Sequence, residues 1–146
     1  MIVFVKEGGS TMLKTILSLI VFGLAHSSLT AQQEQPTGAR PKIVGAQLGK
    51  SVLNREIMGE DSAFTVNDKV YLLLKVAGGA GDSLTVTWKQ GEHSYPTNLG
   101  IGGNPWRTWA YKTTALAGDW TVTVADSKGN ILREMNFKVS EATKGK

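Results

Sequence analysis

The stretch 118–139, GDWTVTVADSKGNILREMNFKV, decides the fold of this chain. Trp120, Val122 and Val124 alternate with Thr121 and Thr123, and Met135, Phe137 and Val139 alternate with Asn136 and Lys138. A period of two, apolar on one side and polar on the other, marks strands with one buried face. Between the runs lies Asp126-Ser127-Lys128-Gly129-Asn130. Asp and Asn bond their own backbone there, and Gly accepts the φ > 0 that a tight turn needs. The stretch predicts a β-hairpin that closes an all-β domain.

The same period extends upstream. Val70, Leu72, Leu74 and Val76 alternate with Tyr71, Leu73 and Lys75, while Leu84, Val86 and Trp88 alternate with Thr85, Thr87 and Lys89. The Val70 run is apolar on both faces, which predicts a central strand or one covered by Met58, Phe64 or an edge loop. Residues 78–82 (GGAGD) join these two runs, Gln90-Gly91 reverses the chain into a strand over 92–99, and 100–105 (GIGGNP) forms a flexible loop. A first strand over 42–48 and another from Trp106 bring the total to about seven. No segment of this region keeps a helical period. The spacing predicts an immunoglobulin- or fibronectin-like antiparallel β-sandwich, with a small barrel as the alternative. Its expected core is Val70, Leu72, Leu74, Leu84, Val86, Trp88, Trp120, Val122, Val124, Phe137 and Val139.

The ends read differently. Lys14, the apolar run TILSLIVFGLA over 15–25 and a small-residue stretch to Ala31 have the pattern of a secretory signal peptide. The run is shorter than the roughly 20 residues of a membrane span. Residues 1–31 are therefore expected to be removed, with cleavage after Ala31 or Ala25, leaving no transmembrane helix. Residues 1–11 fit a leader poorly, and the codons for Lys6-Glu7-Gly8 can spell a purine-rich ribosome-binding sequence, so the expected start is Met12. Residues 32–40 (QQEQPTGAR) read as a disordered spacer, 41–140 as the β-sandwich domain and 141–146 as a flexible tail. The expected location is periplasmic or secreted.

Composition narrows the chemistry. The chain has sixteen Lys and Arg against twelve Asp and Glu, with Lys6, Lys14 and Glu7 falling in the leader segment. The small excess is dispersed, which argues against nucleic acid as a partner. No cysteine is present, which excludes disulfides, thiol catalysis and cysteine-ligated metals. Beyond the leader, His93 is the single histidine, too few for a histidine-based metal site or a triad. Asp82 and Asp126 sit in turn sequences where capping outweighs calcium binding. The glycines of 77–81 and 100–103 precede no helix and make no phosphate loop. No cofactor, metal or catalytic residue is expected.

The remaining candidates lie in 104–112, NPWRTWAYK. On an extended segment Arg107, Trp109 and Tyr111 share one face and Trp106 takes the other. An Arg beside open rings can stack on a sugar or a partner's side chain; alternatively it clamps the segment to its own sheet. Trp106, Arg107, Trp109, Tyr111 and Lys112 are therefore the candidate binding residues. An active site would need Arg107, Lys112, Glu92 and His93 to converge, and their spacing does not demand it.

The ordered series Trp88, Arg107-Thr108-Trp109-Ala110, Gly118-Asp119-Trp120, the turn 126–129 and Phe137-Lys138-Val139 resembles DUF2914, a bacterial domain family without an assigned function. The resemblance spans roughly 64–139 and implies a β domain of the bacterial envelope. Two departures matter. Ala110 stands where the family has serine, and 85–87 lack the histidine found near the early tryptophan, so no metal or acid–base role carries over from it. The expected function is a non-catalytic exported domain, an interaction or accessory module with an envelope protein as partner. The alternative is a carbohydrate-binding module, with Trp106, Trp109 and Tyr111 as a platform for polysaccharide.

Overall fold

A computed structural model describes residues 38–145. The expected leader, residues 32–37 of the spacer and Lys146 lie outside the described residues. Nine strands follow in order: β1 (Lys42–Leu53), β2 (Glu56–Glu60), β3 (Ala63–Thr65), β4 (Lys69–Ala77), β5 (Ser83–Gln90), β6 (His93–Gly100), β7 (Trp106–Thr113), β8 (Gly118–Asp126) and β9 (Ile131–Ser140). They form one sheet in the order β2-β1-β4-β7 and a second in the order β3-β9-β8-β5-β6. The seven expected strands are all present, β1 extending to Leu53. Two short ones, β2 and β3, are additional, and β3 runs parallel to β9, so the sandwich is not purely antiparallel.

The connectivity is that of an immunoglobulin-type sandwich, in which strands A, B and E share one sheet and G, F, C and C′ the other. Here β1, β4 and β7 occupy the first set, and β9, β8, β5 and β6 the second. No strand of the chain takes the D position beside β7 among the described residues.

The alternating sequences fill the space between the sheets. All eleven expected core residues are buried, joined by Leu48, Phe64, Val76, Ile101 and Ala110. Trp120 stacks on Phe137 at 5.9 Å between ring centroids and on Tyr95 at 6.2 Å, while Phe64 meets Phe137 edge-on at 5.7 Å. This aromatic row crosses the second sheet from β3 to β6. Trp120 also closes the corner before β8, its indole N–H donating to Leu116 O at 2.9 Å. It takes the part that a corner tyrosine plays in related sandwiches.

Hairpin β1–β2 shapes the opposite, outer side of the first sheet. Pairing of β1 with β4 ends at Gly49↔Tyr71, and the hairpin continues to a turn at Asn54 and Arg55, with φ of 51° and 61°. Two consecutive residues at φ > 0 are the mark of a type I′ hairpin turn. The hairpin then bends over the sheet: a Cβ on Gly49 would lie 2.7 Å from Ile57 Cγ1 and 2.9 Å from Met58 O. Leu73 faces outward, yet is only 1% exposed. The Val70 run is thus doubly apolar because β4 is central and also covered from outside. Of the covers expected from sequence, Met58 is exposed and Phe64 belongs to the main core, which leaves the edge hairpin β1–β2 as the cover.

Candidate interaction face on strand β7

Strand β7 pairs with β4 in an unbroken register, from Val76↔Trp106 to Lys69↔Thr113. Alternation then sorts the five candidates. Trp106 and Lys112 point between the sheets with Thr108 and the buried Ala110, whereas Arg107, Trp109 and Tyr111 point outward. Trp106 is half-buried and its indole N–H donates to Gly100 O at 3.1 Å. A Cβ on Gly102 would come within 2.6 Å of the Trp106 ring. The glycines of the 100–105 loop therefore seat this tryptophan rather than merely loosening the chain. Lys112 Nζ sits 4.1 Å from the Tyr95 ring centroid, a cation–π contact that links β7 to β6 across the sandwich.

On the outer face Arg107 Nη1 lies 2.6 Å from Glu56 Oε1, fastening the bent hairpin to β7. The expected clamp exists in part: Arg107 holds a carboxylate, and the cation–π contacts fall to Lys112 and to Lys69, whose Nζ is 5.1 Å from the Tyr111 centroid. Tyr111 is tilted 35° against Tyr71 at 5.3 Å. Trp109 and Tyr111 are 42% and 53% exposed. Both partners of the Arg107–Glu56 pair are about half exposed, where such pairs contribute roughly 0.2–1 kcal/mol. Arg107→Ala is accordingly expected to stay folded, melting within a few degrees of the native protein, with faster amide exchange in β1–β2. A collapse of the fold in thermal melts would show that the latch carries the sandwich.

Sequence reasoning missed Glu56, Lys69, Tyr71 and Leu73, which complete this face. Its available signal was the odd-numbered half of the Val70 run, where Tyr71, Leu73 and Lys75 form an outward row on a strand too apolar for solvent. Of the residues considered for an active site, Lys112 and His93 meet at the Tyr95 ring, and Arg107 stands apart from them. Arg107 and Lys112 leave β7 on opposite sides, and His93 is exposed at the start of β6, stacked on Tyr95.

The acidic turn residues serve the backbone. Asp82 Oδ1 accepts from Ser83 N–H. Asp126 Oδ1 accepts from the Lys128 and Asn130 amides at 2.9 Å each, and its Oδ2 from Asn130 Nδ2. These bonds, led by the Asn130 side chain, hold the Asp126 carboxyl below the ordinary carboxylate range. A group whose pKa is lowered on folding stabilises above its unfolded pKa and loses that contribution as pH falls through the folded value. The native protein is thus expected to lose stability below about pH 4 partly through this turn, and Asp126→Asn to flatten that part of a melting-temperature profile. An unaltered acid limb in the variant would count against the turn. No group of three or more His, Cys, Asp or Glu among the described residues could hold a metal ion.

The family model DUF2914, described as a protein of unknown function, matches residues 82–139. The match starts later than the resemblance suggested and ends at the same residue, covering β5 to β9 with the whole of β7. No curated protein is significantly similar to the chain.

Proposed function

We propose that residues 41–140 form a non-catalytic interaction module, exported to the bacterial envelope, whose outer β4–β7 face docks a protein partner. One observation carries this reading. Of the seven exposed large apolar side chains among the described residues, four (Leu53, Met58, Trp109 and Tyr111) lie on β7 and the hairpin β1–β2. The outer side of the second sheet is a polar ladder in which Thr85 bonds Asn98 and Thr121 bonds Asn136. A one-sided apolar surface rimmed by charge is the usual mark of a docking site, and Trp, Tyr and Arg are the residues that dominate binding energies at such sites. Export rests on the leader pattern of residues 14–31.

Geometry favours a protein over a sugar. A stacking platform needs neighbouring rings that are open and coplanar; Trp106 faces away from Trp109 and Tyr111, and Tyr111 is tilted against Tyr71 and flanked by Lys69. The test is affinity capture from an envelope extract by the native protein and by a Trp109→Ala/Tyr111→Ala variant of unchanged fold. A protein held by the native form and lost by the variant supports the reading. Polysaccharide captured in its place would move the face to the carbohydrate alternative, and equal capture by both forms would remove the face from the function.

A further inference from the structure

We infer that the free edge of β7 is a binding site for an extended, carboxylate-bearing peptide strand of a partner protein, laid in the vacant D position of the sandwich. The inference rests on the interaction-module reading and names the partner's form. β7 is the last strand of its sheet, and the backbone N–H and C=O groups that point away from β4 have no backbone partner among the described residues. Edges of this kind are normally blunted by proline, bulges or short length. β6 carries Pro96, whereas β7 offers eight paired residues with no proline and no break in register.

The edge also has a floor. Inward positions of β5 (Leu84, Val86 and Trp88) are fully buried, while their direct partners on β6, Leu99, Thr97 and Tyr95, remain partly or wholly exposed. The second sheet therefore projects one strand beyond β7, under the place where an added strand would run. Alternate side chains of that strand would rest on Tyr95, Thr97 and Leu99, which suits apolar residues; the others would stand beside Arg107, Trp109 and Tyr111. Such edge addition takes affinity from main-chain hydrogen bonds and specificity from the alternate side chains.

Charge sets the chemistry of the occupant. β6 and β7 contain Arg107, Lys112 and His93 and no Asp or Glu. The outer side chains of the added strand run beside Arg107, which already holds Glu56, and its register neighbour Lys75, so carboxylates there meet an excess of cations, while Lys112 flanks the inner row. Complementary charge of this sort fixes register and partner choice.

Two synthetic peptides of alternating sequence, Val–Glu and Val–Lys, test this against the purified protein by amide hydrogen exchange and titration. The Val–Glu peptide is expected to slow exchange at alternate residues of β7, to perturb Tyr95, Thr97 and Leu99, and to bind about tenfold tighter than Val–Lys. An Arg107→Glu/Lys112→Glu variant should reverse that order, and Arg107→Gln/Lys112→Gln should abolish it if the double reversal fails to fold. Equal binding of both peptides, or no slowing at β7 under saturation, overturns the inference. Protection of β7 that grows with protein concentration in the absence of peptide overturns it too, because a second copy then holds the edge. Should the peptides fail while native-only capture through Trp109 and Tyr111 persists, the edge site falls and the outer-face reading stands.

Discussion

Trp120→Ala is expected to lower stability by about 3–5 kcal/mol, the range for removing a large aromatic side chain from a core. The side chain is 1% exposed and belongs to the aromatic row on the second sheet, stacked between Phe137 and Tyr95. Truncation removes both contacts and the indole donor to Leu116 O, leaving that carbonyl to find another partner. A domain of this size has a total stability of roughly 5–15 kcal/mol, and each kcal/mol shifts its melting temperature by roughly 4–8 °C. The variant should therefore melt at least about 12 °C lower or be unfolded at room temperature. An unchanged melt would remove Trp120 from the core.

Trp88 supplies an internal contrast. It is fully buried on β5, between Tyr95 and Val122, yet its indole N–H meets no acceptor among the described residues. A buried donor without a partner costs roughly 1–3 kcal/mol, so Trp88→Phe should recover part of what the smaller ring loses in packing. Trp120→Phe breaks a good hydrogen bond and has no such offset. Parallel melts should rank Trp120→Phe as the more damaging change.

The contrast between these two rings also shows where sequence reading stops. Alternation placed both on the inner faces of their strands, because burial on a sheet follows a period of two whatever the partner strand is. Nothing in the alternation says which indole finds a carbonyl; Leu116 lies in a loop whose path is set by the β7–β8 corner. The two extra strands were hidden for a related reason. β2 (EIMGE) has one half-buried residue in five and owes its form to pairing with β1 through a turn in which Arg55 adopts φ > 0, a conformation arginine does not advertise. β3 is three residues long and exists by parallel pairing with β9, far along the chain. For β7 the period separated Trp106 from Arg107, Trp109 and Tyr111. It could not tell which set would face solvent, because that depends on β4 being central and on Glu56, Lys69 and Tyr71 arriving from other strands. The strands were local information; the face was assembled by contacts distant in sequence.

The second large effect falls on a residue that touches no ligand. Gly78, in the β4–β5 turn, has a φ of +75°, and a Cβ there would lie 2.7 Å from Arg40 O and 3.0 Å from Ala39 O. These are backbone atoms of the segment entering β1, held in place by the Gly79 N–H bond to Ala39 O, and they cannot step aside as a side-chain tip can. The Gly78 amide also donates to Asn104 Oδ1 at 2.9 Å, anchoring the loop that delivers Trp106 to β7. Gly81, three residues on, has a φ of +88° and open space where its Cβ would go. Alanine at either position incurs the left-handed backbone cost of roughly 1–2 kcal/mol, but only Gly78→Ala adds an overlap, a further 1–3 kcal/mol by analogy with overpacked sites. Gly81→Ala should thus melt roughly 4–16 °C below the native protein and Gly78→Ala clearly lower again. The extra loss should be accompanied by faster exchange at the start of β7, since the Asn104 anchor moves with the turn. Equal melting temperatures for the two variants would mean that the chain entering β1 does not cross the turn at this distance, and that the support for β7 comes from the Trp106 seat alone.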